Sequence, residues 1–418
     1  MMSRVHYIPE VIEQYVDDIP FLYQFRQSAS VAPDYNAQEL LELDERLAAN
    51  IEALLMIGGD AWDLCEDALT TDSAGDVFTL AVVAIELEKI EKIEWLVGEV
   101  AEDSGLLVAV TDAFAYFSFE KVKLLLAEMY KSEIPVMQYV VVASFRLHRQ
   151  VSPGLIRGVL SGDNYMARAE AVKSVGVLCI TPLLSLVTPL FDDDDENVAF
   201  MSCWTGSRFG NADALNKLES FVVHPRYGDF ALQYVVMQND TKKITEILQG
   251  MYSDEATKRQ SIRAMGYFGM AGVIDSLVST MKLPEFARVS GESFSLITGI
   301  NLPANGLDLA HVDDAPDSSP TESADDENIE MDPDEGLPWP DPEKISLWWA
   351  QNRSDFLADK RYICGEILSA DSICRVLSSG SQRQRVFAAN IQALLNRKSP
   401  LLDVTALGVC RTRHGFGV

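Results

Sequence analysis

The chain has 418 residues, of which 48% are hydrophobic, 9% aromatic and 23% charged, so most of it is expected to fold around a large core. A net charge of -29 at pH 7 repels nucleic-acid phosphates and anionic membrane surfaces, which excludes both as expected partners. The N-terminal stretch lacks the apolar region of a signal peptide, and the six cysteines show neither a CxxC pair nor zinc-type spacing. A cytoplasmic protein with buried, reduced thiols is therefore expected.

The charge is unevenly spread along the chain. Residues 303–343 hold 14 acidic residues and no Lys or Arg, residues 344–418 carry a net +6, and residues 1–302 carry -21. An acidic body is thus predicted to be followed by a very acidic segment and a basic C-terminal region. Acidity of this kind favours solubility and basic protein partners.

Residues 1–58 are predicted to form an N-terminal helical cap. The apolar pattern indicates helices at 8–17, 19–28 and 37–57, with Asn36 as the N-cap of the third helix and Gly58 and Gly59 as its stop. The aromatic residues of this segment are interpreted as the apolar cover that the end of a repeat stack requires.

Residues 59–302 are predicted to form helical-hairpin repeats. From residue 75 the chain divides into consecutive pieces of about thirty residues, each an apolar helix, a short break and a second apolar helix. The divisions fall at 75–103, 104–132, 133–163, 164–195, 196–225, 226–254 and 255–285. Neither helix of such a hairpin buries its apolar face alone, so the pattern predicts an all-α fold, an α-solenoid of stacked helical hairpins with N- and C-terminal capping segments.

The pieces 164–195 and 255–285 resemble the HEAT-like repeat most clearly, and the resemblance implies a HEAT-like α-solenoid with HEAT-like helical repeats over residues 59–302. Aligning them places Gly176 and Gly269 as the small residues at the bend of each hairpin. Arg168 and Arg263 lie at or near the position where that repeat usually carries an Arg. We expect their guanidinium groups to bond acids or carbonyls of an adjacent repeat rather than to act in catalysis.

The composition changes sharply after residue 302. Residues 303–338 are rich in Pro, Asp, Glu and Ser and are predicted to form an acidic flexible linker. Residues 339–418 are predicted to form a C-terminal helical segment rich in Trp and Arg, with a helix at 382–396, that covers the end of the array.

Several longer motifs are similar to those of an uncharacterised bacterial family of HEAT-like repeat proteins whose members occur in or beside type VI secretion gene clusters. The motifs are DERLAANIEALL (Asp44–Leu55), GDAWDLC (Gly59–Cys65), GESFSLITGINL (Gly291–Leu302), GLPWPDPEKISLWW (Gly336–Trp349), RYICG (Arg361–Gly365) and GSQRQRVFAA (Gly380–Ala389). The resemblance spans nearly the full length. It implies a genomic setting rather than a reaction.

No motif of catalytic chemistry stands out. The five histidines are isolated, and HExxH, GxSxG and phosphate-binding glycine loops are missing, so no catalytic, cofactor-binding or metal-ligating residue is predicted. The acidic run 192–196 lacks the glycine and terminal glutamate of a calcium loop and is expected to be a solvated loop. The uncharged run 175–191 is broken by Pro182 and Pro189, which favours a buried helix over a membrane span.

The aromatic and basic residues of the C-terminal region are the candidate partner-binding residues: Trp339, Trp348, Trp349, Arg361, Tyr362, Arg383 and Arg385. Two interpretations remain open. The Arg side chains either dock internally on the acidic linker or repeat body, which the nearby negative charge favours, or form a site for an acidic protein surface. The Trp side chains are either core residues or binding hot spots.

The sequence thus predicts a non-enzymatic protein-binding scaffold: an accessory, adaptor or chaperone-like protein. The resemblance makes its expected partner a type VI secretion effector, adaptor or spike-tip component. Two alternatives come from other classes. One is a HEAT-repeat enzyme resembling bilin lyases, and the other is a secreted effector with an activity in residues 339–418.

Overall fold

The structure is a computed structural model that describes residues 7–309 and 334–407. Its α-helices, in chain order, are α1 Pro9–Ala29, α2 Ala37–Leu55, α3 Asp60–Ala68, α4 Ala74–Glu86, α5 Ile90–Glu99, α6 Ser104–Tyr116, α7 Phe119–Met129, α8 Met137–Leu147, α9 Pro153–Leu160, α10 Tyr165–Leu178, α11 Leu184–Val187, α12 Glu196–Arg208, α13 Ala212–Leu218, α14 Gly228–Gln238, α15 Thr241–Tyr252, α16 Glu255–Phe268, α17 Ile274–Thr280, α18 Pro284–Thr298, α19 Pro342–Asn352, α20 Ala370–Ser379 and α21 Gln382–Leu395. Two short antiparallel strands, β1 Tyr362–Ile363 and β2 Glu366–Ile367, pair Tyr362 with Ile367. Short 3-10 helices lie at Thr181–Leu183, Thr188–Asp192, Glu219–Phe221, Ala271–Val273, Pro303–Asn305 and Arg353–Asp355. The predicted all-α fold of stacked helical hairpins is confirmed.

The described residues form two compact units. Unit 1 consists of residues 7–31, 35–214 and 396–407, and unit 2 consists of residues 32–34, 215–309 and 334–395. Each unit therefore combines consecutive hairpins with a segment from the C-terminal region of the chain.

Unit 1 is a stack of helical hairpins. Helices α4, α6, α8, α10 and α12 pack side by side in chain order, and α5, α7, α9 and α11 are the second helices of the hairpins. We call α4, α6, α8, α10 and α12, together with α14, α16 and α18 of unit 2, the first helices. Helices α4 and α6 are apolar nearly all round, as expected for helices buried between neighbours on both sides. In α4, every residue of Gly75–Ile85 except Asp76 is buried.

Helix α1 lies against α4 and α2 and covers one end of unit 1. It is one continuous helix through Pro20, so the two predicted helices 8–17 and 19–28 are wrong. Proline removes one helical hydrogen bond. Complete burial of Ile19 and near-complete burial of Tyr23 favour the uninterrupted helix. Gly75 of α4 makes the close approach possible, since a Cβ there would lie 2.4 Å from the carbonyl oxygen of Pro20.

Unit 2 repeats the same packing. Helices α14, α16 and α18 lie side by side, and α15 and α17 are second helices. Helix α21 packs on α14, where Asn390 accepts a hydrogen bond from the Tyr234 hydroxyl at 2.8 Å, and its Phe387 ring contacts Tyr267 at a centroid distance of 4.7 Å. Helix α19 packs on α17.

The two described ends of the predicted linker belong to unit 2. The amide of Leu309 donates to the carbonyl of Trp339 at 3.0 Å, and the amide of Asp341 donates to that of Leu307 at 2.8 Å. Asp334 is only 3% exposed and forms an ion pair with Arg259. Residues 310–333 of the predicted linker lie outside the described residues. The described residues on both sides of this stretch belong to unit 2.

The helix pairs match all seven predicted thirty-residue pieces, from α4 and α5 in 75–103 to α16 and α17 in 255–285. One detail of the repeat alignment is wrong. Gly269 ends α16 with φ of 70°, but Gly176 lies inside α10, which ends at Cys179 with φ of 59°. Position 176 needs a glycine because it packs on Trp204, whose ring would lie 2.5 Å from an added Cβ.

Within the described residues, no helix is both long enough and apolar enough to cross a bilayer.

Candidate protein-binding surface

The C-terminal ends of the first helices share one backbone feature. Helices α4, α8 and α12 each end in a left-handed residue, namely Glu88, Arg149 and Gly210, with φ of 54°, 56° and 87°. In each case the next amide bonds back five residues, as Gln150 does to the carbonyl of Phe145 at 2.8 Å. This is the Schellman end, which leaves other carbonyls of the last turn available.

The left-handed residues recur at the period of the repeats. Arg149, Cys179 and Gly210 are 30 and 31 positions apart, and Gly269 and Gly299 of unit 2 are 30 apart. Because the first helices lie side by side, their C-terminal ends are neighbours in each unit. Each row of ends presents main-chain carbonyls and the negative poles of the helix dipoles, a setting that favours N–H donors and cations.

In unit 2 a segment of the C-terminal region crosses such a row. We call Arg361–Gly365 the crossing segment. The amide of Tyr362 donates to the carbonyl of Gly269 at 2.7 Å, and the amide of Cys364 donates to that of Leu296 at 2.6 Å. The backbones approach so closely that a Cβ on Gly269 would lie 2.4 Å from the carbonyl oxygen of Tyr362.

Arg361 extends the crossing segment to the end of α14. Its Nη1 donates to the carbonyl of Val236 at 3.1 Å and its Nη2 to that of Asn239 at 3.3 Å. The guanidinium also lies 5.3 Å from the centroid of the Phe268 ring. Burial lowers the pKa of Arg361 below its ordinary value, yet an arginine remains charged at any physiological pH.

In unit 1 a longer segment follows the corresponding row. We call Asn396–Leu407 the strap. Nη1 of Arg397 donates to the carbonyls of Ser207 and Arg208, at 2.8 and 3.0 Å, at the end of α12. The amide of Leu401 donates to the carbonyl of Val177, at 2.8 Å, near the end of α10.

Three arginines of unit 1 also bind the strap. Each of them donates hydrogen bonds to main-chain carbonyls of the strap. Arg208 donates to Ser399, and Nη2 of Arg149 donates to Leu401 at 2.8 Å. Arg26 of α1 donates through Nη1 and Nη2 to the carbonyls of Thr405 and Ala406, both at 2.7 Å. The strap therefore contacts α12, α10, α8 and α1 in that order.

Few side chains of the strap are buried. Val404 is 5% exposed and Leu407 6% exposed, and Leu407 belongs to the main apolar core of unit 1. The other described strap residues are half-buried or exposed, and none of them lies in a helix or strand. Asp403 holds a local turn by accepting from the amide and the hydroxyl of Thr405, at 3.1 and 2.8 Å.

The seven candidate residues from the sequence all lie in unit 2, and all have contacts there. Trp349 is buried and donates to Asp275 at 3.0 Å, and the half-buried Trp348 lies edge-on to Phe294. Tyr362 is buried, and Trp339 packs under the guanidinium of Arg288.

The three candidate arginines also have partners within unit 2. Arg361 donates to carbonyls as described above, Arg383 forms an ion pair with Glu292 at 2.9 Å, and Arg385 donates to the carbonyl of Leu377 at 2.8 Å. These internal contacts agree with the docking interpretation, and partner binding by these residues stays a prediction.

The two repeat arginines make contacts of the predicted kind. Arg168 donates to the carbonyl of Gly162 at 3.1 Å and to Asp193 at 3.0 Å, and Arg263 forms an ion pair with Asp229 of the preceding hairpin. Two residues of the acidic run 192–196 therefore have structural contacts. Asp193 accepts from Arg168, and Asp195 caps the N-terminus of α12. Among the described residues, no cluster of three His, Cys, Asp or Glu side chains is arranged to hold a metal ion.

The thiols differ from the prediction that all are buried. Cys65 and Cys203 are buried, whereas Cys179 and Cys364 are half-buried and Cys374 of α20 is exposed. Burial raises the pKa of Cys65 and of Cys364 to about 12. Cys410 lies outside the described residues.

A cluster of ionisable side chains lies between α1, α6, α8 and α10. Asp112 accepts hydrogen bonds from the Tyr23 hydroxyl, at 2.9 Å, and from Gln27. Burial raises the pKa of Asp112 above its usual range despite these bonds. Nearby, Arg146 forms an ion pair with Glu170, and the charge of Arg146 lowers the pKa of Lys173.

The sequence did not point to the residues that hold the strap. Arg26, Arg149 and Arg208 share a position, the last turn of a helix or the residues just after it, where a cation is favoured by the helix dipole. That shared position is a signal that sequence inspection can use. Arg397 also follows the end of a helix, α21, but its guanidinium bonds the end of α12, and the sequence does not indicate that pairing.

Comparison with known proteins gave no relatives: no family model, no curated protein and no solved structure matches the chain.

Proposed function

We propose that this protein is a non-catalytic scaffold that binds another protein. The observation that supports the proposal is the pair of segments held across the helix ends: the strap in unit 1 and the crossing segment in unit 2. In both cases stacked hairpins bind a non-helical segment through main-chain hydrogen bonds and guanidinium groups. Stacked helical repeats commonly use such extended surfaces for protein recognition.

The charge favours the same proposal. Residues 1–302 carry -21, and the row of helix ends adds the negative poles of several helix dipoles. A partner segment that carries Arg or Lys would gain from both, as the chain's own Arg361 and Arg397 do. Acidic surfaces of nucleic acids would be repelled.

The partner and the setting are proposed from the sequence motifs. Their resemblance to HEAT-like proteins encoded in or beside type VI secretion clusters favours a cytoplasmic role in holding an effector, an adaptor or a spike-tip component of that apparatus. The protein would act as an accessory, adaptor or chaperone-like factor for that client.

Affinity purification tests the proposal. The tagged full-length chain would be recovered from bacterial cells that produce the secretion apparatus, and the retained proteins identified by mass spectrometry. The control is the same purification from cells in which the secretion gene cluster is deleted. We expect an effector, adaptor or spike-tip protein in the first sample only, released as salt rises from 0.1 to about 0.5 M because screening weakens charged contacts. Recovery of no secretion protein would overturn the proposed client.

A further inference from the structure

The strap occupies a surface of unit 1 that binds a peptide segment through hydrogen bonds to the segment's main chain. Its main chain accepts hydrogen bonds from Arg26, Arg149 and Arg208 and donates one to Val177. Every peptide has the same carbonyl and amide groups, so these contacts do not depend on the strap's own sequence. A segment from another protein could satisfy them equally well.

Side chains of the strap add selectivity, and one of them is Asp403, whose charge attracts Arg146, Arg149 and Lys173. The guanidinium of Arg397 bonds the end of α12, and Val404 and Leu407 are the buried apolar side chains of the described strap. They define a pattern: a basic residue, followed by aliphatic residues seven and ten positions later. The turn held by Asp403 and Thr405 contains the first of the two aliphatic positions, Val404.

We infer that the surface beneath the strap is the partner site of unit 1, and that the strap is a built-in competitor which a partner segment of this pattern replaces. The inference rests on the proposed function and names the site and the chemistry of the client: an irregular segment with a basic residue and two spaced aliphatic residues.

The strap has the properties of a replaceable ligand. The described strap is attached through main-chain bonds, the Arg397 guanidinium, two apolar side chains and the attraction between Asp403 and the cations Arg146, Arg149 and Lys173. Most of its residues retain contact with solvent. As a tethered segment it competes at an effective concentration on the order of millimolar. A free peptide should therefore bind the intact chain weakly and bind strongly once the strap is weakened.

The test uses the full-length chain and a fluorescein-labelled peptide, RKSPLLDVTAL, which copies residues 397–407. Fluorescence anisotropy would give its affinity for the wild type, for the double variant Val404→Ser/Leu407→Ser, and for Lys398→Ser. The double variant loses the two buried contacts of the strap, and Lys398 is an exposed strap residue that serves as the matched control. We expect at least tenfold tighter binding to the double variant and unchanged binding to Lys398→Ser.

A second peptide checks the proposed pattern. The copy with Arg397→Glu should bind the double variant at least tenfold more weakly, because a carboxylate faces the carbonyls of Ser207 and Arg208. Equal affinity of the labelled peptide for all three proteins, or binding to none of them, overturns the inference.

Hydrogen exchange on the wild type gives a measurement that requires no variant to fold. The amide of Leu401, which bonds Val177, should exchange at least a hundredfold faster than the buried amides of α10, because the strap opens without unfolding the stack. Equal protection of these amides would mean that the strap leaves only on global unfolding, and would also overturn the inference. Failure of the peptide tests alongside recovery of a secretion protein in the affinity purification would reject this site and leave the proposed function standing.

Discussion

The guanidinium of Arg26 and the carboxylate of Asp44 form an ion pair of 2.7 Å that is almost closed to solvent, with exposures of 1% and 7%. The pair joins α1 to α2. The two other nitrogens of the Arg26 guanidinium donate hydrogen bonds to the carbonyls of Thr405 and Ala406. One guanidinium therefore connects the first two helices to the strap.

Removal of the acidic partner should destabilise unit 1 strongly. In Asp44→Ala the Arg26 charge stays buried without its carboxylate, which typically costs about 3–5 kcal/mol in unfolding free energy. The control is Glu246→Ala, whose pair with Lys242 is solvent-exposed and should contribute less than about 1 kcal/mol. Urea denaturation followed by circular dichroism measures both variants, and similar losses in the two would contradict the assignment of Arg26 as a buried connector.

The contact between Gly269 and the crossing segment predicts a second effect. In Gly269→Ala the left-handed backbone should lower the free energy of unfolding by about 1–2 kcal/mol. The clash of the new methyl group with the Tyr362 carbonyl should lower it further. Gly306 is the matched control, since it has φ of 64° but no atom within 4 Å of an added Cβ. We expect Gly269→Ala to lower the unfolding free energy by at least ~1 kcal/mol more than Gly306→Ala. Equal losses would show that the crossing segment does not press on α16.

The glycines inside helices should respond in opposite directions. In Gly176→Ala the new methyl would meet Trp204 and Thr205, so we expect a loss of about 1–3 kcal/mol from overpacking. Gly98→Ala in α5 adds a methyl into open space and should gain about 0.5–1 kcal/mol from its better helix propensity. Thermal unfolding of the two variants decides the matter, and a stabilised Gly176→Ala would refute the packing of α10 on α12.

Asp112 predicts a dependence of stability on pH. Its folded-state pKa is raised by burial, so between its unfolded and folded pKa values the native state binds more protons, and stability falls as pH rises through that window. Asp112→Asn should remove this loss of stability at high pH, because the asparagine side chain does not ionise. Its amide oxygen can still accept the hydrogen bonds from Tyr23 and Gln27. We expect the variant to be more stable than the wild type at pH 7 and to lose that advantage below about pH 4, near the unfolded pKa.

Urea unfolding at a series of pH values measures this difference, with the exposed Asp72→Asn as control. A variant that is less stable than the wild type at pH 7 would show that the charged carboxylate stabilises the native state.

The thirty-residue period and the apolar first helices made the stacked hairpins predictable from the sequence. The helix ends were harder, because Glu88, Arg149 and Cys179 adopt the left-handed conformation that sequence rules assign to Gly or Asn. Their conformation is held by bonds to carbonyls of the preceding turn and by tertiary contacts. The same limit applies to α1, where packing of Ile19 and Tyr23 overrides the break that Pro20 indicates.

The candidate surface was less predictable than the fold. The tail aromatics and arginines were recognised as packing or binding residues, and the structure gives them internal contacts. The strap itself has no periodicity and few apolar residues, so its place depends on partners as distant in sequence as Arg26 and Thr405. Local sequence carries no information on such a pairing.

The strap also sets an order of events during protein synthesis. Residue 214, the last of the consecutive unit 1 hairpins, is made 193 positions before Leu407, which fills part of the same core. At typical translation speeds that interval is roughly 10–40 s. Throughout it, the nascent N-terminal hairpins lack the Leu407 side chain and Arg26 lacks two acceptors, so unit 1 matures only after the ribosome has passed all the described residues of unit 2.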